Sequence, residues 1–325
     1  MKKTKVLITG GTGFIGSHLT ELFVKKGYSV TCFDRYNPNY NLGCLEGSKF
    51  KNDINFVFGD IRDYDSVHKV IKNSDIVLHL AALIGIPYSY FSPLAYVKTN
   101  IEGTYNVLEA SKNLKTKQVI ITSTSETYGT SKYVPMNEQH PMSAQSPYAA
   151  TKISADHLAL SYWNSFKTPV KIIRPFNTYG PKQSPRAIIP SVILQAINNK
   201  NIYLGNIKPT RDFLYVSDTV NAYLKVIQCK KFFGKVVNVG SGREIPIEKL
   251  VKLIKKILGS KSKISIDTKR VRARNSEVDR LICDNSFLRK NTNWNVSTSF
   301  ETGLKSTIQW FKENNNEDLS KIYNI

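Results

Sequence analysis

Two hydrophobic patterns alternate along the first half of the chain. Short β-branched or aromatic runs at residues 5–9, 28–33, 55–58, 75–80, 118–122 and 170–173 read as strands. Near-continuous apolar runs of this kind suit strands buried on both faces of a parallel sheet. Between them, apolar residues recur at helical spacing over 15–26, 64–72, 101–113 and 148–166. The resulting β-α-β-α order predicts an α/β protein with a doubly wound parallel sheet and right-handed crossovers. The pattern changes after Asn177. A Pro-rich stretch, residues 179–185, leads into predicted helices at 189–199, 218–228, 247–258 and 300–313, and 236–239 reads as one more strand of the main sheet. The expected division is a first domain over 1–177, with part of 211–240 returning to it, and a smaller C-terminal α/β lobe over 178–325.

Composition narrows the function classes. A hydrophobic content of 41% over 325 residues suits a globular protein with a sizeable core. No run approaches the ~20 apolar residues that cross a bilayer, and the N-terminal Lys residues lie too close to the glycines that follow for a signal peptide. A cytoplasmic protein without membrane contact is the expectation. Cys32, Cys44, Cys229 and Cys283 form no CxxC pair, and the five histidines are scattered, so no metal site is expected. The formal charge of +21 raises nucleic-acid binding. However, the basic residues are spread along the chain, and the densest cluster, residues 269–274, is short. No nucleic-acid partner is expected, and an anionic ligand accounts for only part of the charge.

Gly10-Gly11-Thr12-Gly13-Phe14-Ile15-Gly16 follows the first strand and opens the first helix. Gly10, Gly13 and Gly16 allow a tight turn and a close backbone approach to a pyrophosphate, which the N–H groups and dipole of the helix N-terminus favour. Asp34 ends the second strand, where a carboxylate accepts ribose hydroxyls and repels a 2′-phosphate. This favours NAD over NADP, with Arg35 the residue that argues the other way. Asp60 ends the third strand and either accepts from the adenine or caps the next helix. Phe14, Ile15, Ile61, Leu80, Ala81 and Ala82 complete the expected cofactor wall, the two alanines letting the cofactor approach the fourth strand.

Tyr148 and Lys152 stand four residues apart and share one helix face. A phenol of reference pKa ~10 must fall about 3 units to work as a base near neutral pH, and a nearby ammonium together with a nicotinamide cation can supply that. Ser123-Thr124-Ser125-Glu126 ends the fifth strand, at the edge that faces the ligand crevice of an open parallel sheet.

With these residues in place, TGGTGFIG, HLAA, STSETYG, SPYAATK, RPFNTYGP and RDFLYVSD together resemble the NAD-dependent epimerase/dehydratase family of nucleotide sugars, a branch of the extended short-chain dehydrogenase/reductases. The motifs run in family order over roughly residues 5–220. STSE and SPYAATK are similar to the 4,6-dehydratases, and the longer strings around them resemble the legionaminic acid branch, which acts on nucleotide-linked N-acetylglucosamine. The resemblance implies a Rossmann sheet, bound NAD and a nucleotide-diphosphate sugar, with GDP or UDP as the base. It implies that Tyr148 takes the sugar 4-hydroxyl proton while hydride leaves C4, that Thr124 bonds that hydroxyl, and that Lys152 holds the nicotinamide ribose. Glu126 then removes the C5 proton, water leaves C6, and hydride returns to C6. Ser125 stands where glucose-type dehydratases carry an Asp that protonates the departing hydroxyl, so either Glu126 serves as both base and acid or a water relays the proton. Asn177, Arg211 and Arg272 are implied to hold the diphosphate, Arg186 the phosphate or base, and Ser89, in a loop after the fourth strand, the sugar. A decarboxylase, a 4-epimerase and a catalytically silent dinucleotide sensor are the competing readings. A homodimer is also expected, through helices 101–113 and 148–166, on the strength of Val107, Leu108, Ala110, Leu158, Leu160 and Tyr162.

Overall fold

The computed structural model describes residues 3–198, 201–270 and 277–314. The main sheet comprises β1 (Lys5–Thr9), β2 (Ser29–Arg35), β3 (Ile54–Gly59), β4 (Ile76–His79), β5 (Gln118–Thr122) and β6 (Val170–Pro175). Strands β7 (Asn177–Tyr179), β8 (Asn201–Leu204) and β9 (Thr210–Tyr215) follow in the second half, then β10 (Val236–Val239), β11 (Glu244–Pro246) and β12 (Lys263–Ile266). The helices of the first half are α1 (Phe14–Lys25), α2 (Tyr64–Ile71), α3 (Ile86–Phe91), α4 (Pro93–Tyr96), α5 (Gly103–Asn113) and α6 (Pro147–Phe166). Those of the second half are α7 (Ile188–Asn198), α8 (Val216–Gln228), α9 (Ile247–Leu258), α10 (Ser286–Asn291) and α11 (Phe300–Glu313).

Seven strands pair in the order β10-β6-β5-β4-β1-β2-β3, all parallel. This is the doubly wound sheet that the apolar runs predict. The strand order reverses beside β1, so the C-terminal ends of β1 and β4 frame the crevice of the switch point. Apolar side chains cover both faces. Ile8, Leu19, Phe23 and Val220 belong to one cluster, and Leu7, Val77, Leu108 and Ile121 to the other. Alternate residues of a strand serve opposite faces, which is why Leu7 and Ile8 enter different cores. A third cluster, including Ile193, Ile202, Phe213, Leu250, Ile254 and Ile308, forms the core of the C-terminal lobe. There β11, β9 and β7 make one small sheet and β12 and β8 another. Strand β10 returns to the main sheet, and α8 packs on α1.

Two departures from the expected elements bear on the site. The stretch after β4, expected as a loop, is the short helix α3, with Pro87 in its first turn. The helix expected from residue 101 begins earlier: α4 runs through a π-helical segment, Val97–Glu102, into α5. That segment faces Asn100 inward. Its amide donates to the Leu83 carbonyl at 2.9 Å and to Thr151 at 3.1 Å, while its oxygen accepts from the Leu83 N–H at 2.9 Å. One buried side chain thereby ties the end of β4 to α6.

Candidate active site

A cleft of about 1680 Å³ runs along the C-terminal ends of the strands and continues between the sheet and the smaller lobe. It exceeds the roughly 300–1,000 Å³ that suits one small molecule, so there is room for two ligands end to end. Gly10, Gly13, Phe14, Ile15, Gly16, Asp34, Asp60, Ile61, Leu80, Ala81 and Ala82 line one arm. Thr124, Ser125, Glu126 and Tyr148 line its middle, and Asn177, Arg186 and Arg211 the arm toward the smaller lobe.

The glycine turn fits a dinucleotide. Gly10 has φ +72, and a Cβ there would sit 2.9 Å from the Ala81 nitrogen. A Cβ on Gly16 would fall 2.0 Å from the Gly10 carbonyl oxygen. The chain thus turns so tightly that only glycine passes, and the start of α1 opens toward the cleft. Asp34 accepts from the Thr12 N–H at 3.1 Å. Burial pushes its carboxyl upward, and the Thr12 and Gly11 donors oppose that shift. Asp60 lines the cleft but does not cap the next helix. Arg62 grips it through Nε at 2.9 and 3.0 Å, which holds its carboxyl below the usual range, and Asp63 caps α2 instead by accepting from Asp65 N–H. Arg35 and Arg62 are exposed beside it on the cleft wall.

Beneath the turn, His79 fixes the end of β4. Its Nδ1 lies 2.8 Å from the Thr9 hydroxyl and its Nε2 3.2 Å from that of Thr104. Thr104 donates onward to the Asn100 carbonyl, so Nε2–H donates to Thr104 and Nδ1 accepts from Thr9. Thr9 in turn accepts from the Ala81 N–H at 3.2 Å. Burial pulls the imidazole down to about 3, keeping it neutral.

Tyr148 lies at the start of α6, where Ser146 caps the helix by accepting from the Ala149 N–H and Pro147 occupies the first turn. Thr124 lies against the phenol and favours its ionised form, while Glu126 and Tyr96 face it and oppose ionisation. Lys152 differs from the expected arrangement. It is buried, and Nζ donates to the Thr122 carbonyl at 2.6 Å. Burial raises the Tyr148 phenol well above its ordinary value, so the protein alone does not lower it. The physical reason is desolvation of the phenolate without a cation close enough to offset it.

The substrate arm holds further corrections. Ser89 is fully buried in α3, and its hydroxyl donates to the Ile86 carbonyl at 2.6 Å, so it offers nothing to a sugar. Tyr88 and Tyr90 of the same helix line the cleft instead. Arg211 is buried and already engaged: it donates to the Thr210 and Val278 carbonyls at 2.9 and 2.6 Å and pairs with Glu277 at 3.2 Å. Arg186 is exposed, 3.9 Å from where a Gly85 Cβ would stand and close enough to Tyr96 to favour its ionisation, hence at the Tyr148 end of this arm. Arg272 lies outside the described residues. Asn177 and Gln183 line the cleft, and the side-chain oxygen of each is buried without a hydrogen-bond partner among the described residues. Gln183 and Arg270, within the Pro-rich stretch and the basic cluster, and Glu277 also line the cleft and were not singled out as site residues from sequence, since no spacing there marks one side chain over its neighbours.

Comparison with known proteins agrees with this geometry. The family described as GDP-mannose 4,6 dehydratase matches residues 7–307. A UDP-N-acetyl-alpha-D-glucosaminuronate decarboxylase of Bacillus cytotoxicus is 35% identical, covering 97% of this chain and 100% of that protein. A dTDP-D-glucose 4,6-dehydratase of Dictyostelium discoideum is 39% identical over 262 residues, 74% of this chain but only 59% of that protein. The crystal structure of dTDP-glucose 4,6-dehydratase from Bacillus anthracis in complex with NAD superimposes with a TM-score of 0.86 at 29% identity, covering 98% of this chain and 99% of that one. A glycine turn on a seven-stranded parallel sheet, a Thr-Ser-Glu strand end facing a Tyr-xxx-Lys helix, and a sequence match over nearly the whole chain lead to one conclusion: the chain belongs to the GDP-mannose 4,6 dehydratase family, among the NAD-dependent epimerases and dehydratases of nucleotide sugars.

Proposed function

We propose that the chain is an NAD-dependent 4,6-dehydratase that converts a nucleotide-diphosphate N-acetylglucosamine, with GDP or UDP as the base, to its 4-keto-6-deoxy derivative. The observation that carries the reading is the convergence of Thr124, Glu126 and Tyr148 on one point of the cleft, at the end of β5 and across from the glycine turn. NAD, when bound, supplies an oxidising equivalent that is returned within the same turnover, so no outside reductant is needed. The glycine turn and the start of helix α1 would hold its pyrophosphate, and Asp34 would accept its ribose hydroxyls. Tyr148 takes the proton of the sugar 4-hydroxyl, which Thr124 orients. With the phenol raised by burial, this transfer calls for a cation beside it, which the nicotinamide ring of NAD would supply. The 4-ketone acidifies C5–H, and Glu126 takes that proton. Since Ser125 is no acid, Glu126 or a water it holds protonates the leaving C6 oxygen. Asn177 and Arg272 are assigned to the diphosphate and Tyr88 and Tyr90 to the sugar, while Arg211, held by Thr210, Val278 and Glu277, supports the wall of that arm.

Arg186 favours a second reading, decarboxylation of a nucleotide-linked N-acetylglucosaminuronate. A guanidinium at the Tyr148 end of the cleft suits a C6 carboxylate, and the full-length similarity to the Bacillus cytotoxicus protein supports it. The test is a panel of GDP-, UDP- and dTDP-linked N-acetylglucosamine, glucose, mannose and glucuronates. The proposal expects a 4-keto-6-deoxy product, with kcat/KM highest for N-acetylglucosamine. Carbon dioxide release identifies the second reading, and glucose or mannose matching N-acetylglucosamine overturns the hexose assignment.

The enzyme is further proposed to be cytoplasmic and homodimeric. Four free thiols support the compartment. The dimer argument changes, because Val107, Leu108, Ala110 and Tyr162 are buried within the subunit core. Leu94, Val97, Tyr105 and Phe166 of the same helical layer are exposed and support a dimer in their place. A monomer mass by light scattering at micromolar concentration rejects it.

A further inference from the structure

Tyr148, Lys152 and Asp156 stand four residues apart on one face of α6. All three meet the end of β5. Tyr148 faces the Thr124 hydroxyl, Lys152 donates to the Thr122 carbonyl, and Asp156 Oδ2 accepts from the Ser123 hydroxyl at 2.8 Å. The first two have places in the proposed reaction and the third has none. Asp156 is 1% exposed. Its Oδ2 also takes Arg174 Nε at 2.9 Å, and Arg174 Nη1 donates to the Tyr128 hydroxyl at 3.0 Å. Its Oδ1 is buried with no hydrogen-bond partner among the described residues. Arg174 Nη2 pairs with Oδ2 as well, at 2.9 Å, so the counter-charge sits on that oxygen, while the side chain one helical turn away on the same face is that of Lys152.

We propose that Asp156 is a positioning residue: its charge keeps Lys152 an ammonium, and its bond to Ser123 fixes the end of β5 so that Thr124 meets Tyr148. The inference rests on the dehydratase reading above. Burial brings Lys152 down to about 8, and Asp156 is the group that opposes this. The other ionisable groups around Lys152 are Tyr148 on its own helix, the neutral His79 from β4, and Tyr223 from α8, whose hydroxyl donates to the Thr122 hydroxyl. Glu126 and Tyr96 face Tyr148. Asp156 also resists ionisation of Tyr148, so it holds protons on both members of the pair.

The experiment is the pH profile of kcat/KM for oxidation at C4, measured on the wild type and on Asp156→Asn, Ser123→Ala and Asp156→Glu. Asp156→Asn keeps the shape and an acceptor for Ser123 but removes the charge. Its alkaline limb moves to lower pH by about one unit, the acid limb following, as expected for loss of a charge one helical turn away. Ser123→Ala lowers kcat and leaves both limbs in place. Asp156→Glu restores the limbs. Should Asp156→Asn fail to fold, Asp156→Ser, which also removes the charge while leaving Arg174 in place, carries the same expected shift. Limbs that stay put in a folded, active variant lacking the charge overturn the inference and leave the dehydratase reading standing. A wild type that oxidises no nucleotide sugar overturns both.

Discussion

Replacing Gly16 by Ala tests whether the packing of the glycine turn is what shapes the cofactor arm. The new Cβ would lie 2.0 Å from the Gly10 oxygen, whereas ordinary contact begins near 3.4 Å, so the two must separate by more than 1 Å. Gly10 cannot retreat. Its N–H is bonded to the Phe33 carbonyl at 2.9 Å, its φ of +72 faces it against Ala81, and its oxygen accepts from the Gly13 N–H at 3.1 Å. Overpacking of this kind costs about 1–3 kcal/mol, and loss of the Gly13 bond about 1 kcal/mol more. If the whole ~2–4 kcal/mol falls on the dinucleotide-binding form, affinity drops roughly 30-fold to several hundred-fold at about 1.4 kcal/mol per decade. Gly13→Ala is the graded control, since its Cβ would stand 3.3 Å from the same oxygen and needs a shift of only a few tenths of an ångström. It should weaken binding by less than about tenfold. Gly27→Ala is the stability control: its φ of +83 strains an alanine, but nothing lies within 4 Å. It should cost about 1–2 kcal/mol of stability and leave binding alone. Calorimetric titration of stripped protein with NAD, beside thermal melts, reads both quantities. Binding by Gly16→Ala within threefold of wild type refutes the argument.

Three further outcomes are expected. Tyr148→Phe abolishes C4 oxidation, whereas Glu126→Gln still reduces the cofactor in a single turnover but incorporates no solvent deuterium at C5; wild-type turnover by Glu126→Gln means another group is the base. Nucleotide released on denaturing the purified protein is NAD, and a preponderance of NADP contradicts the role given to Asp34. His79, held near 3 when folded against 6.5 in its ordinary state, binds its proton only after unfolding across that window. Its contribution to stability is therefore complete above about pH 6.5 and shrinks by up to about 1.4 kcal/mol per pH unit as pH falls toward 3. Urea midpoints from pH 4 to 7 should flatten in His79→Gln relative to wild type, and equal slopes in the two proteins exclude this source.

Much of the framework is local information. The strands of the main sheet are legible because burial on both faces demands unbroken apolar runs, and β1 and β5 fall on the runs from which they are read. The glycine turn is legible because so tight a bend excludes every side chain, and Tyr148 with Lys152 because four residues bring side chains to one helix face. The same spacing places Asp156 on that face, but a lone Asp carries no signal until Ser123 and Arg174 arrive from other strands. The remaining decisions belong to tertiary structure. Whether Ser89 points into the cleft depended on the rotation of α3, and packing turned it inward. The Thr122 carbonyl that takes a proton of Lys152 comes from a strand end far from α6 in the chain. The buried apolar faces of α5 and α6 were visible in sequence, but only the packed subunit separates core residues such as Val107 from exposed ones such as Tyr105. Sequence spacing fixes which side chains share a face, whereas the charge, solvation and partners of each are set by groups distant in the chain that folding brings within about 3 Å of it.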